Sequence, residues 1–198
     1  MSRTLERVRA HLDAHFGQAE PDVASVTFLG AEPMNVLRYR VGDDRVVSYV
    51  SLGCSRHPMV DPTAMVADSE LGPRAEVVLR LRDTETITGL ARTLAIVAAS
   101  PAVEGVVLVA DALVDLGGPL WTVPSARVPF TALLLGESDI ADLPLEPPRD
   151  PVRFLSATPI TATEAAWVRL KGAEAMREAW RSDSVDVLDP KRPAAQPN

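Results

Sequence analysis

Met34-Asn35-Val36-Leu37-Arg38-Tyr39-Arg40-Val41-Gly42-Asp43-Asp44-Arg45-Val46-Val47-Ser48-Tyr49-Val50-Ser51-Leu52 decides the fold. Leu37, Tyr39 and Val41 alternate with Arg38 and Arg40, the period of two that a half-buried strand requires. Gly42-Asp43-Asp44 supplies turn chemistry, and Arg45 to Leu52 returns as a second strand. An antiparallel hairpin is the expectation, and the rest of the chain is read outward from it.

Upstream, Leu5, Val8, Leu12 and Phe16 recur at helical spacing, which predicts a helix over Thr4 to Phe16 that stops at Gly17. Val23 to Leu29 reads as a short strand. Downstream, Gly53 to Pro73 loses all periodicity and is rich in Pro, Asp and Ser. A loop of that length is uncommon in a compact domain and often carries function. Ala75 to Leu81 alternates again, with Val77, Leu79 and Leu81 on one face and Glu76, Arg80 and Arg82 near or on the other.

A middle helix is expected from about Glu85 to Ala99, with Ile87, Leu90, Leu94 and Val97 as its stripe and Pro101 as its end. Val106 to Val109, Trp121 to Val123, Phe130 to Leu135 and Val152 to Thr158 are strand candidates. Thr161-Ala162-Thr163-Glu164 fits a capping box. The helix it opens is expected to bury Ala166, Leu170, Ala173, Met176 and Trp180, with Trp167 about a quarter turn off that face. Residues 183–198 are expected to form a disordered tail after a single domain over 1–182. Helices near both ends and one in the middle, without regular β-α alternation, give an α+β class with a mostly antiparallel mixed sheet.

Composition narrows the function classes. The chain has 198 residues, 46% hydrophobic and 24% charged, enough for one domain with a real core. Its formal net charge of -7 is that of a solvated acidic surface. It argues against broad nucleic-acid binding, which needs cations on phosphates, and suits a basic protein partner. The single Cys54 makes no internal disulfide, the first residues lack a signal-peptide core, and no stretch approaches a membrane span. A cytoplasmic protein is the simplest expectation.

Motifs for chemistry are few. His11 and His15 have i, i+4 spacing, but Leu12 stands where a zinc protease needs its glutamate. Cys54, Ser55 and His57 crowd the end of a strand, where Arg56 and His57 can lower a thiol pKa. A small hydrolase or thiol enzyme built on Cys54 and His57 is therefore one alternative, although the G-x-S-x-G elbow is missing. Asp61, Asp68, Glu70, Asp111 and Asp115 are scattered carboxylates. No P-loop, dinucleotide fingerprint or zinc spacing occurs, so no cofactor is expected.

An ordered set of segments resembles a known family. Ser51-Leu52-Gly53-Cys54-Ser55-Arg56-His57-Pro58-Met59 resembles the T-x-G-x-S-x-x-P-M strand and loop of bacterial members of the Suppressor of fused family. Arg74-Ala75-Glu76-Val77-Val78-Leu79-Arg80-Leu81 is similar to that family's R-x-E-L-x-L strand. Phe130 to Leu135, then Val152 to Leu155, Thr158 to Thr161, Glu164 and Gly172, resemble its late strands and closing helix. Two features depart from the pattern: Cys54 replaces an apolar residue, and the helix after Glu85 lacks the family's tryptophan.

The resemblance implies a mixed α+β domain without enzymatic activity. Animal relatives sequester a transcription factor by adding its peptide as a strand between two domains, and this chain is similar to the first of those alone. Bacterial relatives are proposed to be immunity proteins that neutralise toxins. A protein-binding domain, immunity-like, is the leading expectation; an oligomeric scaffold or ligand-binding module is another alternative. The surface expected to meet a partner is the loop after the hairpin, with Cys54, Ser55, Arg56, His57, Met59 and Asp61, and the strand edge it joins.

Overall fold

A computed structural model of the chain describes residues 2–17, 20–28, 32–40, 45–60, 68, 70–84, 86–124 and 126–195. Seven strands form one sheet: β1 (Asp22–Val26), β2 (Met34–Arg40), β3 (Val46–Leu52), β4 (Arg74–Arg82), β5 (Leu113–Asp115), β6 (Phe130–Glu137) and β7 (Val152–Thr161). Their spatial order is β1-β2-β3-β4-β7-β6-β5, and only β4 and β7 run parallel. The hairpin is the β2–β3 pair, in which Leu37 faces Val50 and Tyr39 faces Ser48. Its turn, Gly42-Asp43-Asp44, and Val41 lie outside the described residues, as does Leu29 at the end of the first expected strand.

Helix α1 (Arg3–Phe16) starts where the Ser2 hydroxyl accepts the Leu5 N–H and stops at Gly17 in the left-handed conformation. Its stripe of Leu5, Val8, Leu12 and Phe16 packs on Leu37, Tyr39, Val50, Val78 and Phe154 of the sheet. The opposite face of the sheet carries α2 (Leu90–Glu104), seated on Val36, Val77, Leu79, Leu133 and Leu155. With helices on both faces, the interior strands are apolar on both sides, so β4 buries every residue from Arg74 to Leu79. Glu76, expected toward the other face, is fully buried.

Helix α2 begins at Leu90, after the left-handed Gly89, and runs through Pro101 to Gly105. A proline inside a helix leaves the carbonyl four residues back without its donor. Here that carbonyl is Val97, and the Ser100 hydroxyl donates to it at 2.8 Å, which lets the helix continue. Residues 106–109 form no regular strand, and Thr122 makes only an isolated bridge to Thr88. β5 was not expected; it is three residues long and too short for a period to show.

The closing helix is two helices. The capping box is formed as the spacing predicts: the Glu164 N–H donates to Thr161, and the Thr161 N–H to Glu164. α3 (Ala162–Lys171) then breaks at Gly172 (φ 89°), and α4 (Ala173–Ser182) restarts in a new register. Ala173, Met176 and Trp180 are buried as expected, but Ala165 and Val168 replace Ala166 and Leu170, and Leu170 is 74% exposed. Trp167 is half-buried against the cluster that Ala165, Val168, Met176 and Trp180 form with Ala132, Leu134 and Ile160 of the sheet.

The expected disordered tail is corrected over residues 183–195. Arg192 is 4% exposed and bonds both carboxylate oxygens of Glu164, at 2.7 and 3.1 Å. Its guanidinium lies between the rings of Phe130 and Trp180, 5.0 and 5.6 Å from their centroids. The Trp180 indole N–H and the Ala195 N–H also donate to Glu164. A segment with no periodicity of its own is thus fixed by long-range contacts, the Arg192–Glu164 pair and, nearer its start, the Arg82–Asp186 pair with the Arg82 N–H donating to the Leu188 carbonyl. Residues 196–198 lie outside the described residues.

Candidate functional site

The loop after the hairpin joins two interior strands, β3 and β4, and not a sheet edge. The β3–β4 ladder stops at Val50 opposite Val78. Beyond it, Ser51 substitutes its side chain: the hydroxyl accepts the Val77 N–H at 2.9 Å and donates to Glu76. The Glu76 carboxylate also receives the Gly53 N–H (2.9 Å), the Ser55 N–H (3.0 Å) and the Ser55 hydroxyl (2.6 Å). Four donors converge on one fully buried acid. Burial nevertheless dominates and holds its pKa above the ordinary carboxylate value.

The neighbouring Arg74 works the other way. Its guanidinium is buried and donates to the carbonyls of Ser55, Arg56 and Glu70, at 3.0, 3.1 and 3.3 Å. Glu76 therefore serves the donors of a short 3₁₀ turn, Cys54–Arg56, while Arg74 serves its acceptors. Gly53 enters that turn at φ 151°, and a Cβ there would lie 2.8 Å from the Met34 sulfur. These are the residues of the S-x-G-x-S and R-x-E motifs, and they form an internal scaffold.

This placement divides the residues expected to meet a partner. Cys54, Ser55 and Met59 are buried. Arg56 is half-buried, pairs with Glu32 at 3.1 Å and donates to the Pro33 carbonyl. His57 is exposed and lies 3.2 Å from the same Glu32 carboxylate. The His57 bond, assisted by Arg56, draws the Glu32 pKa down. Asp61 lies outside the described residues. Among the described residues of this group only Arg56 and His57 are accessible, and they sit beside the start of β2.

The thiol alternative meets an obstacle in the same geometry. Burial and the nearby Glu76 charge push the Cys54 thiol well above its usual value, opposite to what a nucleophile needs. The His11 Nε2 lies 2.7 Å from the Ala141 carbonyl, and its ring stacks on Phe154. Among the described residues no three His, Cys, Asp or Glu side chains cluster as metal ligands. Asp111 and Asp115 pair separately with Arg177 and Arg169. No helix is long and apolar enough to cross a membrane among the described residues.

The sheet ends on β1 at one side and on the three-residue β5 at the other, and β1 is the longer edge. Among the described residues nothing pairs with its outer side, and Asp22 to Ser25 are all exposed. Beside it lies a hollow of about 260 Å³ walled by Val23, Ala24, Val36, Tyr49, Ile87 and Leu90 and by the charged Asp22 and Arg38. Asp22 at its rim is clamped by Arg38 and Arg40, at 2.5 and 3.3 Å. Val26, at the far end of β1, faces Met34, which abuts Gly53; the edge and the scaffolded turn thus share one end of the sheet. The segment around Val23 is legible as a strand, but its edge position depends on strand order, which no local pattern carries.

Comparison with known proteins places this arrangement. The family model for Suppressor of fused protein matches residues 30–193, most of the chain. No curated protein sequence is a match. The crystal structure of a Suppressor of fused homologue from Neisseria gonorrhoeae is similar at 20% identity and TM-score 0.67, with 96% of each chain covered. A chain of the Sufu–Fu complex is similar at 15% identity and TM-score 0.71, over 96% of this chain and 91% of that one. Drosophila Suppressor of Fused is similar at 15% identity and TM-score 0.68, but this chain spans about half of it (51%).

Proposed function

The chain belongs to the Suppressor of fused family, and from that premise we propose that it is a non-catalytic domain that holds another protein. The observation that carries the proposal is an open backbone edge, β1, with a hollow of mixed polar and apolar lining alongside it. An added strand draws affinity from main-chain hydrogen bonds and specificity from alternate side chains seated in pockets. The family motif supports this reading, because its polar residues hold one end of the sheet in place and leave Arg56 and His57 at the surface as a polar rim.

The partner we assign is a basic protein, and the role is immunity-like neutralisation in the cytoplasm. A net charge of -7 speeds encounter with a cation-rich partner. A buried free thiol fits a reducing compartment. Titration of the purified chain against a basic secreted toxin encoded beside it tests the role. The expected result is a stoichiometric complex and rescue of growth when both are co-expressed. Growth arrest unaffected by the chain would overturn the immunity role, and loss of binding in an Ala24→Pro chain separates the edge from the role.

A further inference from the structure

Strand β1 offers different residues to the two faces of the sheet. Cross-strand partners point the same way, and Ala24 pairs with Val36 and Val23 with Leu37. Val36 packs in the cluster under α2, and Leu37 in the cluster under α1. Asp22, Ala24 and Val26 therefore stand on the α2 face of the edge, and Val23 and Ser25 on the α1 face. The hollow beside β1 opens on the α2 face. It is bounded by Val36 on the sheet, by Leu90 and Ala91 in the first turn of α2, and by Ile87 just before it. Ala24 puts one methyl group beside this space, which leaves room for a side chain brought from outside the edge.

Asp22, two residues along the same face, uses half of its carboxylate. Its Oδ2 accepts from Arg38 Nε at 3.1 Å, Arg38 Nη2 at 2.5 Å and Arg40 Nη1 at 3.3 Å. Among the described residues no hydrogen bond reaches Oδ1, and the side chain is 63% exposed. Arg40 is in turn paired with Asp83 at 3.6 Å, so the two arginines here are already matched by two carboxylates. A strand laid outside β1 thus meets a vacant apolar seat beside Ala24 and an open anionic acceptor beside Asp22.

We propose that the segment captured at β1 carries an apolar side chain seated in the hollow beside Ala24 and, two residues away, an arginine or lysine that donates to Asp22 Oδ1. Antiparallel addition, the more stable pairing per residue, puts the apolar residue first. Opposite charges on adjacent strands attract and like charges repel, so the position beside Asp22 selects a cation and rejects an acid. The inference rests on the edge-binding reading above and assigns the side-chain chemistry that the edge selects.

Fluorescence anisotropy of a labelled threonine-rich peptide, with leucine and two residues later arginine, titrated with the full chain, tests it; threonine favours the extended form. Exchanging the leucine for threonine is expected to weaken binding roughly tenfold or more. Exchanging the arginine for glutamate should weaken it about threefold or more, and added salt should shrink that difference. Ala24→Leu, which fills the hollow from within, should erase the preference for leucine, and Asp22→Asn the preference for arginine over glutamate. Circular dichroism confirms that each variant is folded. Peptides that bind equally whatever they carry, with all binding lost in Ala24→Pro, would overturn this inference and leave the edge reading intact. Preferences that persist unchanged in Ala24→Leu and Asp22→Asn would overturn it too, by placing the contacts elsewhere. Absence of binding by any peptide, or binding that survives Ala24→Pro, would sink the edge reading and this inference with it.

Discussion

The Ser55 hydroxyl donates to the Glu76 carboxylate at 2.6 Å across 21 residues of chain, and both side chains are fully buried. That contact ties the loop after the hairpin to the central strand β4 and explains why a serine and a glutamate recur in the two motifs.

Replacing Glu76 separates its charge from its acceptor role. Glu76→Ala leaves four buried donors without an acceptor and is expected to cost at least about 3 kcal/mol in urea unfolding. Glu76→Gln keeps one accepting oxygen and costs less. Because burial raises the folded pKa, the wild-type penalty grows as pH rises from the unfolded value of about 4.3 through the folded one. The wild type is therefore expected to lose ground against Glu76→Gln as pH rises through that window; a constant difference would contradict the account.

Arg192→Ala strips the buried Glu164 of its cation and is expected to destabilise by about 3–5 kcal/mol. Burial alone would raise the Glu164 pKa, but the Arg192 bond, the Thr161 N–H and the Trp180 indole outweigh it and hold it below the ordinary value. Stability from this group is present above about pH 4.3 and is lost as pH falls through the lowered folded pKa. An acid unfolding profile should show a shallower loss below pH 4 in Arg192→Ala than in the wild type.

Cys54 is expected to resist thiol reagents in the folded chain and to label at an ordinary rate once unfolded, as a buried thiol with a raised pKa should. Stopped labelling with a maleimide at neutral pH reads the difference. Faster labelling in the folded state than in a free thiol would restore the nucleophile alternative.

Gly53→Ala tests the turn itself. The φ of 151° and the Met34 sulfur 2.8 Å from a Cβ both oppose a side chain there. A cost of about 1–3 kcal/mol is expected, with part of it recovered by Met34→Ala, which removes the clash and leaves the backbone strain.

Much of this fold is legible in the sequence. The α1 stripe with its Gly17 stop, the hairpin, β4 and the Thr161–Glu164 box all rest on local spacing, and spacing is what a sequence displays. The failures share one physical cause, dependence on distant or off-pattern groups. Pro101 reads as a stop until Ser100 is seen to serve the Val97 carbonyl. The segment to Ala195 reads as loose until Arg192 is seen against Glu164, 28 residues away. Gly172 resets the register of the closing helix, so two of the five residues on its expected face, Ala166 and Leu170, are exposed instead. At the site, periodicity marks Cys54, Ser55 and Met59 as loop residues, whereas tertiary contacts make them core; the β1 edge follows from strand order alone.

Hydrogen exchange on the chain, free and bound to the protein it captures, tests the central claim most directly. Amides of the edge strand 22–26 that do not bond β2 should exchange rapidly when free and slow by about tenfold or more in the complex, and Ala24→Pro, which puts a residue without an N–H into the edge strand, should abolish that complex without unfolding the chain. Binding that leaves 22–26 unprotected and survives Ala24→Pro would contradict the account.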